Sequence, residues 1–152
     1  MRYFLLFFVL FFSGCMSAID RDLPHKVKLD SPPCVRPHGN YRYQTCDNYT
    51  ANIDGMPYVV PQGFDTDFAS IPKFLWWEIA PFRSDLVSAS IIHDHMYTCP
   101  NDITRKYADD VFYSALIESG MSASDASKMY YVVRYFGEPF FKAGQTCHFG
   151  ES

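Results

Sequence analysis

The sequence has little positive charge. Of its 152 residues, 13 are Lys or Arg and 17 are Asp or Glu, which gives a formal net charge of -4 at pH 7. Binding to nucleic acid requires a concentration of basic side chains, so we do not expect a nucleic-acid partner. The sequence also has no internal repeats and no low-complexity segment. Its length suits one domain with a modest core.

The sequence has no apolar stretch long enough to cross a bilayer as a helix. Its longest apolar run, from Tyr3 to Phe12, falls well short of the roughly 20 residues that a spanning helix needs. The run has instead the length of the apolar region of a secretory signal. Ser13, Gly14 and Cys15 follow it, and this ending is similar to a bacterial lipobox, in which the cysteine is lipidated. A plain cleaved signal peptide is the alternative.

We therefore predict a lipoprotein signal peptide over residues 1–14, then a lipidated Cys15 and a tether over residues 15–33. Several acyl chains bury more apolar surface than stable membrane anchoring needs. The residue after the cysteine is Met16 and not Asp, which by analogy with sorting in Gram-negative bacteria favours the outer membrane. The predicted protein is held by its lipid in the outer membrane and faces the periplasm.

Closely spaced cysteine pairs, which structural zinc sites use, are also missing. If Cys15 carries lipid, four cysteines remain, and an even number in an oxidising compartment predicts two disulfides. Three pairings are open. We favour Cys34 with Cys46, which flank a predicted turn, and Cys99 with Cys147, which would tie the C-terminal tail back.

Residues 34–152 are predicted to form a single globular domain. Its first part is rich in Tyr, Thr and Ile, and the dipeptide Asp54-Gly55 is a strong signal for a hairpin turn. Its second part predicts three helices, which open at Ser84, Thr104 and Ser122. The fold class is therefore α+β, a small antiparallel β-sheet followed by a three-helix C-terminal half. The first helix is apolar nearly all round, so it should be central and buried.

Two sequence motifs carry the candidate chemistry. The motif IIHDHMY places His93, Asp94 and Tyr97 on one broad side of the first predicted helix, with His95 nearly opposite, at the solvent or an edge. On the second predicted helix Asp109 borders the apolar face. A histidine takes a proton near neutral pH, and a carboxylate beside it fixes its tautomer. His93, Asp109 and Tyr97 are therefore the predicted catalytic residues of a hydrolase.

Three further carboxylates form a candidate metal site. Asp94 follows the histidine, and Asp65 and Asp67 lie in the preceding loop. Oxygen ligands of this kind suit Ca²⁺ or Mg²⁺. Simpler interpretations are open: Asp65 and Asp67 can cap a turn, and an ion pair between Arg105 and Asp109 at i, i+4 would by itself explain Asp109.

The aromatic residues predict core packing. Trp76 and Trp77, with neighbouring phenylalanines, form a dense cluster, and the stretch MYYVVRYF near the end of the third helix is typical of a core helix. If these side chains were exposed, they would form a contact patch for lipid or protein.

The motifs GFDTDFASIP, HDHMY and ADDVF, in that order, resemble the phage and prophage family known as domain of unknown function 1353. The family name states no activity. A second, local resemblance is to secreted phospholipase A2, which carries His-Asp-x-x-Tyr on one helix and an Asp on the next. This resemblance implies that His93 is the general base, Asp109 its orienting partner, Asp94 a Ca²⁺ ligand and Tyr97 a hydrogen-bonding support.

The phospholipase resemblance fails at the calcium loop. Those enzymes hold Ca²⁺ with a glycine-rich loop, and only Gly63 is available before the helix in this sequence. Either Asp65 and Asp67 replace those ligands, or there is no calcium.

Two functions from different classes remain open. The first is a lipid-anchored hydrolase of the cell envelope that uses the pair of His93 and Asp109. The second is a non-catalytic superinfection-exclusion lipoprotein, which the combination of a phage-type domain and a lipobox suggests. Such a protein binds and blocks an outer-membrane phage receptor from the periplasmic side, and its polar side chains would only support the fold.

Overall fold

The structure is a computed structural model, and it describes residues 23–40, 42–68 and 83–143. The described chain is α+β, as the sequence predicts: six short strands precede three helices. None of the described helices is long and apolar enough to cross a membrane. The strands form two three-stranded antiparallel sheets rather than the single predicted sheet.

The first sheet has the order β1-β4-β5, with β1 at Val27–Leu29, β4 at Tyr49–Ile53 and β5 at Met56–Val60. The predicted turn at Asp54-Gly55 joins β4 to β5, and both residues have positive φ, 53° and 87°. Two consecutive residues with positive φ are the requirement of the tight hairpin turn that Asp-Gly favours. The predicted turn is therefore confirmed.

Part of the segment predicted to be a tether forms a strand of the first sheet. Val27–Leu29 pairs with Ala51–Ile53, and the Val27 side chain is buried in the core. The domain therefore includes part of the segment predicted to be a tether over residues 15–33. The sequence pattern missed this strand because three residues are too few to show an alternating period.

The second sheet has the order β2-β3-β6, with β2 at Val35–Pro37, β3 at Tyr43–Thr45 and β6 at Asp65–Thr66. A disulfide joins Cys34, just before β2, to Cys46, just after β3. This is the first of the two bridges that the sequence favours. The pairing of β3 with β6 brings Asp65 and Thr66 beside the helices.

The helices are α1 (Ser84–Thr98), α2 (Arg105–Glu118) and α3 (Ala123–Phe136), and a short 3-10 helix follows at Glu138–Phe140. Thr104 and Ser122 cap α2 and α3, because their side chains accept hydrogen bonds from the backbone N–H groups of Tyr107 and Asp125. The N-cap of α1 is Arg83 and not Ser84. Helix α1 packs against α2 on one side and faces β5 and β6 on the other, so it is the central buried helix.

Candidate functional site

Helices α1 and α2 bring together the three residues that the sequence predicts to be catalytic. His93 and Tyr97 lie one turn apart on α1, and both face Asp109 on α2. His93 Nε2 lies 2.9 Å from Asp109 Oδ1, and the Tyr97 hydroxyl donates a hydrogen bond of 2.6 Å to the same oxygen. The Asp109 side chain has no exposed surface. A buried carboxylate is stable only when its hydrogen bonds and its charge are satisfied.

The positive charge that satisfies Asp109 comes from α3. Arg134 Nη1 donates a hydrogen bond of 2.6 Å to Asp109 Oδ2. Arg105, the partner expected from its i, i+4 spacing, is more distant at 3.6 Å and also donates to the backbone carbonyl of Arg134. Arg134 was not among the site residues predicted from the sequence. The available signal was a single cation inside the otherwise uncharged stretch MYYVVRYF. We call His93, Tyr97, Asp109 and Arg134 the polar centre.

The polar centre fixes the protonation of its members. Burial raises the pKa of Asp109, but hydrogen bonds from His93, Tyr97 and Arg134 together bring that pKa below its usual value. Burial lowers the pKa of His93, against the opposite effect of Asp109. At neutral pH His93 is therefore neutral and donates its Nε2 hydrogen to an ionised Asp109. Its Nδ1 keeps a lone pair, and no group in the described part of the chain bonds to this atom.

A cavity of about 560 Å³ adjoins the polar centre. His93 and Tyr97 form part of its floor, and Asp94 lines it beside them. One wall is polar and comes from the residue before β3 and the segment around β6, and the other is apolar and comes from α3 and the 3-10 helix. The polar residues of the wall are Arg42, Asp65, Thr66 and Asp67, and the apolar ones are Val132, Val133, Phe136 and Phe140.

The three predicted calcium ligands line this cavity but are already engaged in other contacts. Asp94 accepts a hydrogen bond of 2.5 Å from the Thr66 hydroxyl. Asp65 pairs with Arg42 at 3.2 Å. Within the described ranges, no three carboxylate, imidazole or thiolate side chains are arranged to hold a metal ion. Calcium binding by Asp94, Asp65 and Asp67 therefore stays a prediction.

Several predicted residues fall outside the description. Cys15, Cys147, Trp76 and Trp77 all lie outside the described residues. Cys99 is buried and takes part in a disulfide, but its pairing with Cys147 stays a prediction. The predicted signal peptide also lies outside the described residues.

His95 was predicted to lie at the solvent or at an edge, but it is buried. It is 3% exposed, and the Tyr58 hydroxyl of β5 lies 2.7 Å from its Nδ1. Phe64 contacts the same ring edge-on at 5.0 Å between centroids. The prediction was wrong because the side of α1 opposite His93 is covered by the first sheet, which helical periodicity alone does not show.

The burial of His95 makes the stability of the domain depend on pH. Burial lowers the pKa of His95 to about 4, whereas an unfolded histidine titrates near 6.5. The unfolded chain therefore takes up this proton first as the pH falls. We expect His95 to lower the free energy of unfolding by about 3 kcal/mol between pH 6.5 and pH 4. Urea unfolding measured across this range would show it.

The contribution of His95 can be separated from that of other groups. Each extra proton bound by the unfolded chain changes the free energy of unfolding by about 1.4 kcal/mol per pH unit. In the variant His95→Gln the dependence of the free energy of unfolding on pH should therefore be shallower by up to this amount. The matched variant is His38→Gln, which replaces a histidine whose side chain is 55% exposed. A His95→Gln slope equal to that of wild type would contradict the prediction.

The chain has relatives of known sequence but of unknown activity. Residues 42–133 match the family described as "Protein of unknown function (DUF1353)". Uncharacterized protein y4jT of Sinorhizobium fredii (strain NBRC 101917 / NGR234) is 34% identical over 88 residues, which cover 55% of this chain and 25% of that protein. Uncharacterized protein y4iH of the same strain is 28% identical over 105 residues, which cover 66% of this chain and 43% of that protein.

The chain thus spans less than half the length of these two curated relatives. No solved structure matches it.

Proposed function

The chain belongs to the DUF1353 family, and from the geometry of its polar centre we propose that it is a hydrolase in which His93 is the general base. One observation carries this proposal. His93 is held at Nε2 by Asp109, while Nδ1, with its lone pair, has no bonding partner in the described chain and His93 lines a cavity. A neutral histidine with one nitrogen fixed and the other unused is the arrangement that proton abstraction requires.

The chemistry follows from this tautomer. Nδ1 of His93 takes a proton from a water molecule, and the water oxygen forms a bond to the carbonyl carbon of an ester in the cavity. The bond from that carbon to the alcohol oxygen then breaks, and the imidazolium returns the proton to the departing oxygen. The products are an acid and an alcohol. Asp109 stays ionised throughout and stabilises the transient imidazolium, as an orienting carboxylate does.

Arg134 balances the charge of Asp109 in this scheme. The Arg134 guanidinium lies 2.6 Å from Asp109 Oδ2. The net charge of the two side chains together is therefore close to zero. A neutral pair attracts a proton to His93 less strongly than an isolated carboxylate would. Arg134 thus helps to keep His93 unprotonated and able to act as a base at neutral pH.

The proposed setting is the bacterial envelope. In this proposal the protein is a phage or prophage lipoprotein, carries lipid on Cys15 and stays in the outer membrane, facing the periplasm. The lipobox-like ending of the apolar N-terminal run supports this location. The substrate would then be an ester of the envelope.

The pH dependence of the wild-type activity tests the role of His93. Because burial lowers the pKa of His93, the base should already be fully unprotonated at neutral pH. We expect kcat/KM on a panel of chromogenic esters to be flat from pH 7 upward and to fall only below the usual titration range of histidine, near 6.5.

The matched control is His25→Gln. This substitution removes the contact between His25 Nδ1 and Asp54 Oδ2, which are 2.7 Å apart. Neither residue lines the cavity, so the dependence of kcat/KM on pH should be unchanged. Folded protein that hydrolyses no ester, or activity that continues to rise above pH 8, would contradict the assignment of His93.

The second candidate is the superinfection-exclusion lipoprotein, which blocks an outer-membrane receptor. One observation favours it: Nδ1 of His93 has almost no solvent contact, as expected for a pair that only supports the core. Such a protein would act through its surface. Crosslinking in cells that recovers no outer-membrane protein would contradict it.

A further inference from the structure

In the part of the chain that the structure describes, most of the exposed large hydrophobic side chains lie in one region. Among the described residues, seven large hydrophobic side chains are exposed, and two of them, Met56 and Val59, belong to β5. The other five lie along α3 and at the two segments that adjoin it. They are Leu23, Tyr131, Tyr135, Phe136 and Phe140, with exposures of 45%, 44%, 76%, 48% and 58%.

Four of these exposed side chains belong to the C-terminal half of α3 and the 3-10 helix after it, and we call them the aromatic face: Tyr131, Tyr135, Phe136 and Phe140. Tyr131 and Tyr135 stack one helical turn apart, with ring centroids at 6.2 Å. Phe136 follows directly on α3, and Phe136 and Phe140 both line the cavity beside the polar centre. The aromatic face therefore ends at the mouth of that cavity. The stretch MYYVVRYF was predicted to be core, but Tyr131, Tyr135 and Phe136 within it are exposed.

The N-terminal part of the chain enters the domain beside this surface. Pro24 and Tyr131 line the same smaller cavity, of about 380 Å³, and Leu23 precedes Pro24 as an exposed apolar side chain. Leu23 lies eight residues after the predicted lipid on Cys15, and an extended chain of this length reaches at most roughly 29 Å. A lipid on Cys15 would hold the aromatic face close to the membrane surface.

We propose that the aromatic face docks on the lipid surface that holds the N-terminal lipid. The proposal rests on the proposed lipidation of Cys15 but not on any hydrolytic activity. Tyr and Phe suit this role because a bilayer interface accommodates a ring that is apolar in body and, for Tyr, polar at its tip. Lipid and aromatic face then act as two attachments, and two attachments hold a peripheral protein more firmly than one. The mouth of the cavity would lie at the lipid interface.

Protection of side chains from hydroxyl radicals tests this orientation. The full chain is reconstituted in vesicles of phosphatidylethanolamine and phosphatidylglycerol, and oxidation is measured by mass spectrometry relative to the denatured chain. Tyr135 and Met56 are matched probes, because they are 76% and 70% exposed and lie on different elements. Docking should protect Tyr135 several-fold more than Met56, whereas equal protection would overturn the proposal.

Substitutions define which surface carries the protection. The double variant Tyr135→Asp, Phe140→Asp should expose Tyr131 and Phe136 to oxidation several-fold more than wild type on the same vesicles. Met56→Asp should leave their protection unchanged. If the protection from oxidation disappears when the ratio of protein to lipid is lowered, the aromatic face contacts a second copy of the chain instead of the lipid. Protection that needs an outer-membrane extract would indicate a protein partner, and either result would overturn the proposal.

Discussion

Replacing Asp109 by alanine is expected to lower the free energy of unfolding by about 3–5 kcal/mol, the range for losing one member of a buried ion pair. Asp109 accepts hydrogen bonds from His93 and Tyr97 on one oxygen and from Arg134 on the other. The substitution leaves all three donors without a buried acceptor, and each unsatisfied group costs free energy of its own. Urea unfolding should show a lower midpoint with an unchanged slope.

The neighbouring residue is the matched control for this prediction. Asp110 follows on the same helix and also has two partners, Lys106 at 2.5 Å and Tyr130 at 3.0 Å. Its partner Lys106 is 66% exposed, so water and salt screen the ion pair. Asp110→Ala should cost about 1 kcal/mol or less. Equal losses for the two variants would show that Asp109 does not depend on its buried network.

The loss of Asp109 should also change the titration of His93. Without the carboxylate, nothing holds the Nε2 hydrogen, so either nitrogen can carry the proton. The desolvation that lowers the pKa of His93 remains, while the group that opposes it is gone. The neutral form of His93 is then still favoured, but the imidazolium formed during a reaction is no longer stabilised.

Local signals in the sequence predicted most of the helical half. Thr104 and Ser122 cap their helices because a hydroxyl before an apolar repeat satisfies free N–H groups at a helix start. These signals need only a few consecutive residues. The sheets were less predictable, because strands of two or three residues have no readable period. The pairing of β3 with β6 also joins residues far apart in sequence, Tyr43 with Thr66.

The polar centre was predictable to the extent that it depends on periodicity. His93 and Tyr97 lie on one side of α1 because their spacing of four residues is close to one helical turn. The side of α2 that carries Asp109 follows from its apolar neighbours in the same way. The isolated cation Arg134 was visible in the sequence, but its contact with Asp109 was not predictable, since the packing of α3 against α2 depends on tertiary structure. The exposure of His95 was predicted wrongly for the same reason. Helical periodicity gives the direction in which a side chain points, but it does not show which other element covers that side chain.

The burial of α3 could not be predicted from its apolar content. The stretch MYYVVRYF is almost uniformly apolar or aromatic, so it gives no preferred side. In the structure Met129 and Val133 are buried, while Tyr131 and Tyr135 are exposed. Only the position of α2 decides which of these side chains enters the core.

Replacing His93 by glutamine is expected to lower kcat/KM for ester hydrolysis by roughly 10²–10⁴-fold, the usual contribution of a general base. The glutamine side-chain amide can donate a hydrogen bond to Asp109 in place of Nε2, but it has no basic nitrogen to accept a proton from water. The measurement is initial-rate kinetics on the best ester of the panel, together with urea unfolding to show that the variant remains folded.

The His25→Gln variant separates the general base from histidines in general, since it should retain the wild-type rate. Cells that express the lipoprotein can be challenged with a phage panel in parallel, because the two proposed functions differ there. If His93→Gln protein at wild-type level still protects the cells, protection depends on binding at the surface, and the polar centre only supports the fold. If hydrolysis and protection are lost together in a folded variant, the reaction at His93 is the source of the protection.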